Sequence, residues 1–165
     1  MAAIFFVIIV LVVFVFIRIN MVFVRNCSLL ESITITPADE FEPPDLPVTD
    51  WAEANDFAYL GNYKMEMDNV RSKISVWQRM DRPTYLVYTL VQAQHLHKES
   101  CEFATDFADM ISLNTATACD GHFFPKRLGS YAQTFADMNL DQLWNAHIEA
   151  ENYLMDNLGA QLVEQ

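Results

Sequence analysis

The stretch 139–159, NLDQLWNAHIEAENYLMDNLG, decides the fold because its apolar residues recur at steps of three and four, as in an amphipathic helix. Asn139 can cap the first turn together with Gln142, and Gly159 can adopt the left-handed conformation that ends a helix. The apolar stripe consists of Leu140, Leu143, Trp144, His147, Ile148, Leu154 and Leu158. The expected outward positions are Glu149, Glu151 and Asp156. We therefore expect one side of this helix to pack on a sheet.

The segments before this helix alternate apolar and polar residues, which is the pattern of β-strands. The stretch TYLVYTLVQ is apolar on both faces, as expected of a central strand, and the glycine in FAYLGNYKMEM predicts an irregularity there. A short helix, DWAEAND (50–56), has a capping-box-like start at Asp50 and Glu53. The predicted strands are FAYLGNYKMEM (57–67), SKISVWQRM (72–80), TYLVYTLVQ (84–92), CEFATDF (101–107), MISLNTATA (110–118) and SYAQTF (130–135).

Short connections between these strands predict an antiparallel meander whose one face is covered by the C-terminal helix. The fold class is therefore α+β, with roughly six antiparallel strands, a flanking short helix and a long amphipathic helix. This layout, with a tryptophan on the C-terminal helix, resembles that of pleckstrin-homology-type domains. The resemblance is one of layout alone, since the basic loop that would bind lipid phosphates is missing.

The first 25 residues, MAAIFFVIIVLVVFVFIRINMVFVR, carry no charged side chain before Arg18 and predict a transmembrane helix. Residues 1–24 would extend about 36 Å as a helix, enough for a bilayer core even when tilted. A cleaved signal peptide would need a basic start and a small-residue cleavage site, which this stretch lacks. A buried soluble helix would need a protein shell larger than one small domain supplies. Arg18 and Arg25 both follow the span, which favours a cytoplasmic domain over an exported one.

The segment 26–48 is rich in proline and acidic residues, which predicts a semi-rigid stalk between the anchor and the domain. Within it, SITIT (32–36) has the β-propensity to pair as an edge strand, and we keep that as an alternative. The predicted α+β domain spans residues 49–159, and residues 160–165 form a tail.

The chain is acidic, with a formal net charge of −12. Because every acidic residue follows residue 30, whereas Arg18 and Arg25 precede it, the domain is more acidic than the whole chain. Such a charge argues against binding nucleic acid or docking flat on anionic lipids, which both attract basic surfaces. The chain has 3 cysteines without a repeated spacing, which is not a disulfide framework, although an oxidising compartment would permit a Cys101–Cys119 bridge.

The stretches QHLHKESC and CDGH contain the side chains that could bind zinc. These candidate ligands are His95, His97, Cys101, Cys119 and His122. They follow neither a C-x-x-C nor an H-E-x-x-H pattern, so no metal site is assigned from the sequence. A thiolate at Cys119 activated by His122 is a further candidate, but no third group that would orient the imidazole is evident.

Aromatic residues exceed what one helix face needs, which suggests a contact surface. Trp77 shares a strand face with Ser75 and Arg79, so we expect it to be exposed. The stretch HFFPKRLGSY adds apolar bulk beside the only adjacent basic pair of the domain. The interface candidates are Trp77, Phe123, Phe124, Lys126 and Arg127.

These observations predict a single-pass membrane protein whose acidic domain binds a protein partner, with no catalytic residue and no cofactor assigned. One alternative is a membrane-tethered metal-binding protein or hydrolase that uses the histidines and cysteines. A second alternative is an apolar-ligand or lipid-binding protein with its pocket between the long helix and the sheet.

Overall fold

The computed structural model describes residues 34–38, 43–44, 46–67, 70–93, 96–117 and 128–163. This part of the chain is α+β, with one seven-stranded sheet and two α-helices. The elements are β1 (Thr34–Pro37), α1 (Pro47–Ala54), β2 (Phe57–Met67), β3 (Val70–Arg79), β4 (Thr84–Ala93), β5 (Leu96–Asp106), β6 (Ser112–Ala116), β7 (Ser130–Thr134) and α2 (Leu140–Leu158). Within these residues no helix is both apolar and long enough to cross a bilayer, and the predicted anchor, residues 1–25, lies outside them.

The six predicted strands are β2 to β7, which follow one another across the sheet in chain order. The prediction of a wholly antiparallel meander is wrong at the last strand, because β7 pairs with β6 in parallel. Residues 117–129 connect these two strands, and a connection of this length suffices for the crossover that parallel strands need. The predicted irregularity in β2 is confirmed as a bulge between Tyr59 and Gly61.

The additional strand, β1, lies inside the segment predicted to be a stalk. Thr34 pairs with Glu66 and Pro37 with Tyr63, so the edge-strand alternative for this stretch is confirmed. The short helix α1 also begins earlier than predicted, at Pro47 rather than Asp50. Proline suits the first position of a helix because its backbone nitrogen has no hydrogen to leave unpaired there.

The C-terminal helix α2 begins and ends at the capping residues that the sequence predicts. Asn139 accepts a hydrogen bond from the Gln142 backbone, and the Gln142 side chain accepts one from the Asn139 backbone. Gly159 follows the last helical residue with a φ of 66°, the left-handed conformation that glycine adopts without a steric cost. Both ends of α2 are therefore encoded locally.

The core lies between the sheet and the two helices. Trp77, Leu86 and Phe103 are paired side by side across β3, β4 and β5, and each is fully buried. The helices cover this row with Ala52 of α1 and Leu143 of α2. A second cluster, at the other end of α2, consists of Phe107, Leu113, Leu154 and Ala160.

The expected exposure of Trp77 is wrong. Its side chain is 0 % exposed and its ring lies 5.5 Å from that of Tyr59. The two faces of β3 were assigned in reverse, because Ile74 and Val76 look more core-like than Ser75 and Trp77. The helices in fact pack on the side that carries Trp77, so its indole is not available as a contact surface.

Candidate functional site

The most distinctive feature of the interior is a buried polar cluster between α2 and the middle of the sheet. Its members are Thr84 on β4, Thr105 on β5, Thr115 on β6, and His147 and Glu151 on α2. Each is at most 1 % exposed. Buried polar groups are costly unless they are hydrogen-bonded, so the partners of each atom decide what the cluster does.

Strand alternation and helical spacing bring these five side chains together. Thr84 and Thr105 are directly paired on neighbouring strands, and their hydroxyl oxygens lie 2.8 Å apart. Thr115 lies on the next strand and faces the same side of the sheet, toward the helices. His147 and Glu151 are four residues apart on α2, so both project from one side of the helix onto the threonines.

The hydrogen bonds of the cluster form a directed chain that begins at Gln133 of β7. The Gln133 amide nitrogen donates to the Ala146 carbonyl at 3.0 Å, and also to the Thr115 hydroxyl at 2.9 Å. The Thr115 hydroxyl is thus free to donate to His147 Nδ1, which lies 2.8 Å away. A ring with its hydrogen on Nε2 then donates to the Thr105 oxygen, 2.8 Å from that nitrogen.

The chain ends at the Glu151 carboxylate. Thr105 donates to Glu151 Oε1 at 2.5 Å, and Thr84 donates to the same oxygen at 3.1 Å. The second oxygen, Oε2, accepts from Arg82 Nη1 at 3.0 Å. Both carboxylate oxygens are therefore satisfied, and one of their partners is a guanidinium that balances the buried charge.

These contacts set the protonation of Glu151. Burial alone would raise its pKa, but the neighbouring imidazole of His147, the hydrogen bond from Thr105 and the charge of Arg82 hold the pKa below its ordinary value of 4.5. Glu151 is therefore an ionised carboxylate at neutral pH. The ion pair with Arg82 joins α2 to the turn between β3 and β4.

The role of this cluster is structural. His147 and Glu151 are both 0 % exposed, so a substrate has no access to either side chain. Both ring nitrogens and both carboxylate oxygens already have protein partners. A polar network in which every threonine, imidazole and carboxylate group has a partner fixes the position of a helix on a sheet, which is the role we assign to it.

An aromatic cluster fills the rest of the space between the helices and the sheet. Its rings are those of Trp51, Phe57, Phe103 and Trp144, with Phe103 and Trp144 centred 5.0 Å apart. The Trp51 indole donates to Asp141 at 2.7 Å, which ties α1 to α2. The Arg79 guanidinium lies 5.0 Å from the Trp144 ring centre, a cation–π contact. Side chains in contact occupy this region, which leaves the ligand-pocket alternative without structural support.

The structure describes little of the predicted metal ligands. His95, Cys119 and His122 lie outside the described residues, and for His97 only the backbone pairing with Gln92 is described. Cys101 is a half-buried free thiol, and burial, aided by the nearby Glu99, raises its pKa to about 11. Across the described ranges no group of three or more His, Cys, Asp or Glu side chains could hold a metal ion.

The remaining interface candidates, Phe123, Phe124, Lys126 and Arg127, also lie outside the described residues. The described chain resumes at Leu128, whose side chain is 95 % exposed, beside Met110, which is 74 % exposed. The Ser112 amide donates to the Gly129 carbonyl at 2.9 Å, and a Cβ on Gly129 would lie 3.0 Å from the Met110 carbonyl oxygen. We call Met110 and Leu128 the distal tip.

Sequence reasoning missed the buried polar cluster, and the expected outward position of Glu151 is wrong. In the expected apolar stripe of α2, His147 and Leu154 are seven positions apart, and only Ile148 of the stripe lies between them. Glu151 lies four residues after the first and three before the second, which places it on the same side of the helix. That spacing indicates that Glu151 faces the sheet, but its charge favoured an outward position in the sequence analysis.

The chain matches no protein-family model, no curated protein and no solved structure. The resemblance in layout to pleckstrin-homology-type domains therefore gains no support from these comparisons.

Proposed function

We propose that this protein is a single-pass membrane protein whose acidic α+β domain binds a protein partner through the distal tip. Residues 1–25 form the anchor in this account, and the domain lies on the cytoplasmic side. The segment with Phe123, Phe124, Lys126 and Arg127 directly precedes Leu128 in the chain and contributes to the same contact surface.

The observation that carries the proposal is the exposure of two large apolar side chains on a constrained backbone. Met110 and Leu128 are the two most exposed large apolar residues of the described chain. Asp109 and Met110 both have positive φ values, 58° and 60°, which cost L-residues about 1 kcal/mol or more each. Strain that presents an apolar side chain to water is typical of a contact site.

The position of the distal tip also suits a tethered domain. The chain enters the sheet at Thr34, which lies in the same cross-strand row as His97 at the start of β5. The tip lies beside Ser112, which pairs with Asp106 at the end of β5. The two ends of β5 are about 30 Å apart at 3.4 Å per residue, so the tip points away from the end where the anchor joins.

Photo-cross-linking of the full chain in its native membrane tests this proposal. We place p-benzoylphenylalanine at position 110 or 128, with position 60 as control, because Leu60 is exposed to 44 % but lies on β2, away from the tip. Both tip positions should give the same adduct with one other protein. Adducts at neither tip position, or the same adduct at position 60, would overturn the proposed contact surface.

Glutamate substitution distinguishes binding from proximity. Met110→Glu and Leu128→Glu should each reduce recovery of the cross-linked partner at least about tenfold, because an apolar contact is replaced by a charge that must be desolvated. Leu60→Glu should leave recovery unchanged. Equal losses in all three variants would indicate a general defect rather than a contact at the tip.

A further inference from the structure

The face of the sheet that is turned away from both helices has an unexpected composition. Trp77, Leu86 and Phe103 face the helices, so their neighbours along β3, β4 and β5 point to the opposite side. Most of its central side chains are apolar and half-buried: Tyr63, Met65, Ile74, Val76, Val87 and Val91. Ser72 and Thr89 lie among them as uncharged polar residues. We call this side of β1 to β4 the outer face.

The outer face contrasts with the rest of the molecule in charge. The chain has a net charge of −12 and 19 % charged residues, yet no described side chain on the outer face is charged. The other side of the same strands carries the exposed Lys64 and Lys73 where the sheet extends beyond the helices. On an antiparallel sheet, the side chains that face water are normally polar. The outer face therefore has the composition of a covered surface.

We propose that the outer face is the interface of a homodimer, in which two copies of this chain pack sheet against sheet. A two-fold axis brings each residue near its own copy, so any charge near the axis would meet the same charge. The absence of charge makes this face suitable for self-association of an acidic protein. Another protein could use charge complementarity for recognition, and the outer face offers none.

The size of the outer face agrees with this assignment. At about 4.8 Å between strands and about 3.4 Å per residue, the four-residue β1 and the ten- to eleven-residue strands β2 to β4 cover about 570 Å² per copy. This area is close to the lower end of stable interfaces of standard size, about 600 Å² per partner. Lys98 and Glu102 of β5 then lie at the border, where a polar rim is expected.

Cross-linking at the centre of the outer face tests the homodimer. We place p-benzoylphenylalanine at position 63 of the full chain in its native membrane, with position 153 on α2 as control, since both replace a tyrosine. Position 63 should give an adduct of twice the chain mass, and position 153 should not. An adduct with a different protein, a cross-link to residues 1–33 of the same chain, or no adduct would each overturn the proposal.

Charge variants test whether the face holds the dimer together. Val76→Glu should weaken dimerisation of the full chain in detergent by at least about 100-fold, because two carboxylates would be buried near the axis. Lys73→Glu makes a larger charge change on the opposite side of the same strand and should leave the mass, measured by light scattering, at that of the dimer. A monomeric wild-type chain, or equal dissociation in both variants, would contradict the proposal. The outer face and the distal tip share no residue, so this result leaves the proposed function to be judged by its own test.

Discussion

His147 and Glu151 lie one helical turn apart on α2, with Nε2 of the imidazole 3.4 Å from Oε1 of the carboxylate, and neither side chain is exposed to solvent. Thr105 contacts both residues, and Arg82 reaches the carboxylate from the turn after β3. This pair connects the long helix to three strands. The effect of breaking this contact can therefore be measured as a change in the free energy of unfolding.

We expect Glu151→Ala to lower the free energy of unfolding by about 3 kcal/mol or more, because the buried Thr84 and Thr105 hydroxyls lose their acceptor and Arg82 loses its ion-pair partner. Glu149→Ala is the matched control, since Glu149 is exposed on the same helix and its loss should change stability by less than about 0.5 kcal/mol. Urea unfolding of the full chain in detergent, followed by tryptophan fluorescence, measures both. Similar values for the two variants would refute the role assigned to the cluster.

The lowered pKa of Glu151 predicts a specific pH dependence. A carboxyl group whose pKa is lower in the folded state than in the unfolded state contributes stability above its unfolded value, here 4.5, and loses that contribution as the pH falls through the folded pKa. The wild-type chain should therefore lose stability below about pH 4.5 more steeply than Glu151→Gln does. Unfolding midpoints of both chains between pH 7 and pH 3 test this. Parallel pH profiles would show that Glu151 does not carry the effect.

Gly129 supports the distal tip and tolerates no side chain. A Cβ at this position would lie 3.0 Å from the Met110 carbonyl oxygen, and its φ is 84°. We expect Gly129→Ala to destabilise the domain by about 2 kcal/mol, which thermal unfolding can measure. Gly159→Ala is the control, because its Cβ would meet nothing within 4 Å and only its φ of 66° opposes the change, at a cost of about 1 kcal/mol. A smaller loss at Gly129 than at Gly159 would contradict the close packing of the tip.

The metal-binding alternative predicts one zinc ion per chain, and analysis of the metal content can test it. We expect the purified full chain to contain less than stoichiometric zinc, because the candidate ligands follow no zinc-binding spacing. Mass spectrometry of the metal content checks this, with His95→Ala and His97→Ala as variants. One zinc ion per chain that is lost in both variants would establish the alternative.

Much of the fold could be predicted because its signals are local. The caps of α2 and the alternation in β2 to β5 depend on neighbouring residues only, and the structure confirms them. The direction of β7 could not be predicted, because alternation is the same in parallel and antiparallel strands. Nor could alternation decide which face of β3 meets the helices, since both carry residues suited to a core.

The polar cluster was harder to predict than the apolar core. Its three threonines have high β-propensity and look like ordinary strand residues, and they come together only through the pairing of β4, β5 and β6. Arg82 reaches Glu151 across 69 residues of sequence. Contacts of that kind depend on the tertiary arrangement, and no local pattern contains them.

The most direct test of the whole account is the fate of residues 1–25 in the native cell. Membranes are washed with alkaline carbonate, and the intact mass of the protein in the pellet and in the supernatant is measured. We predict that the protein stays in the pellet and that its mass includes these residues. Protein that begins after Arg25, or that is released into the supernatant, would contradict the claim that a retained N-terminal helix anchors this domain.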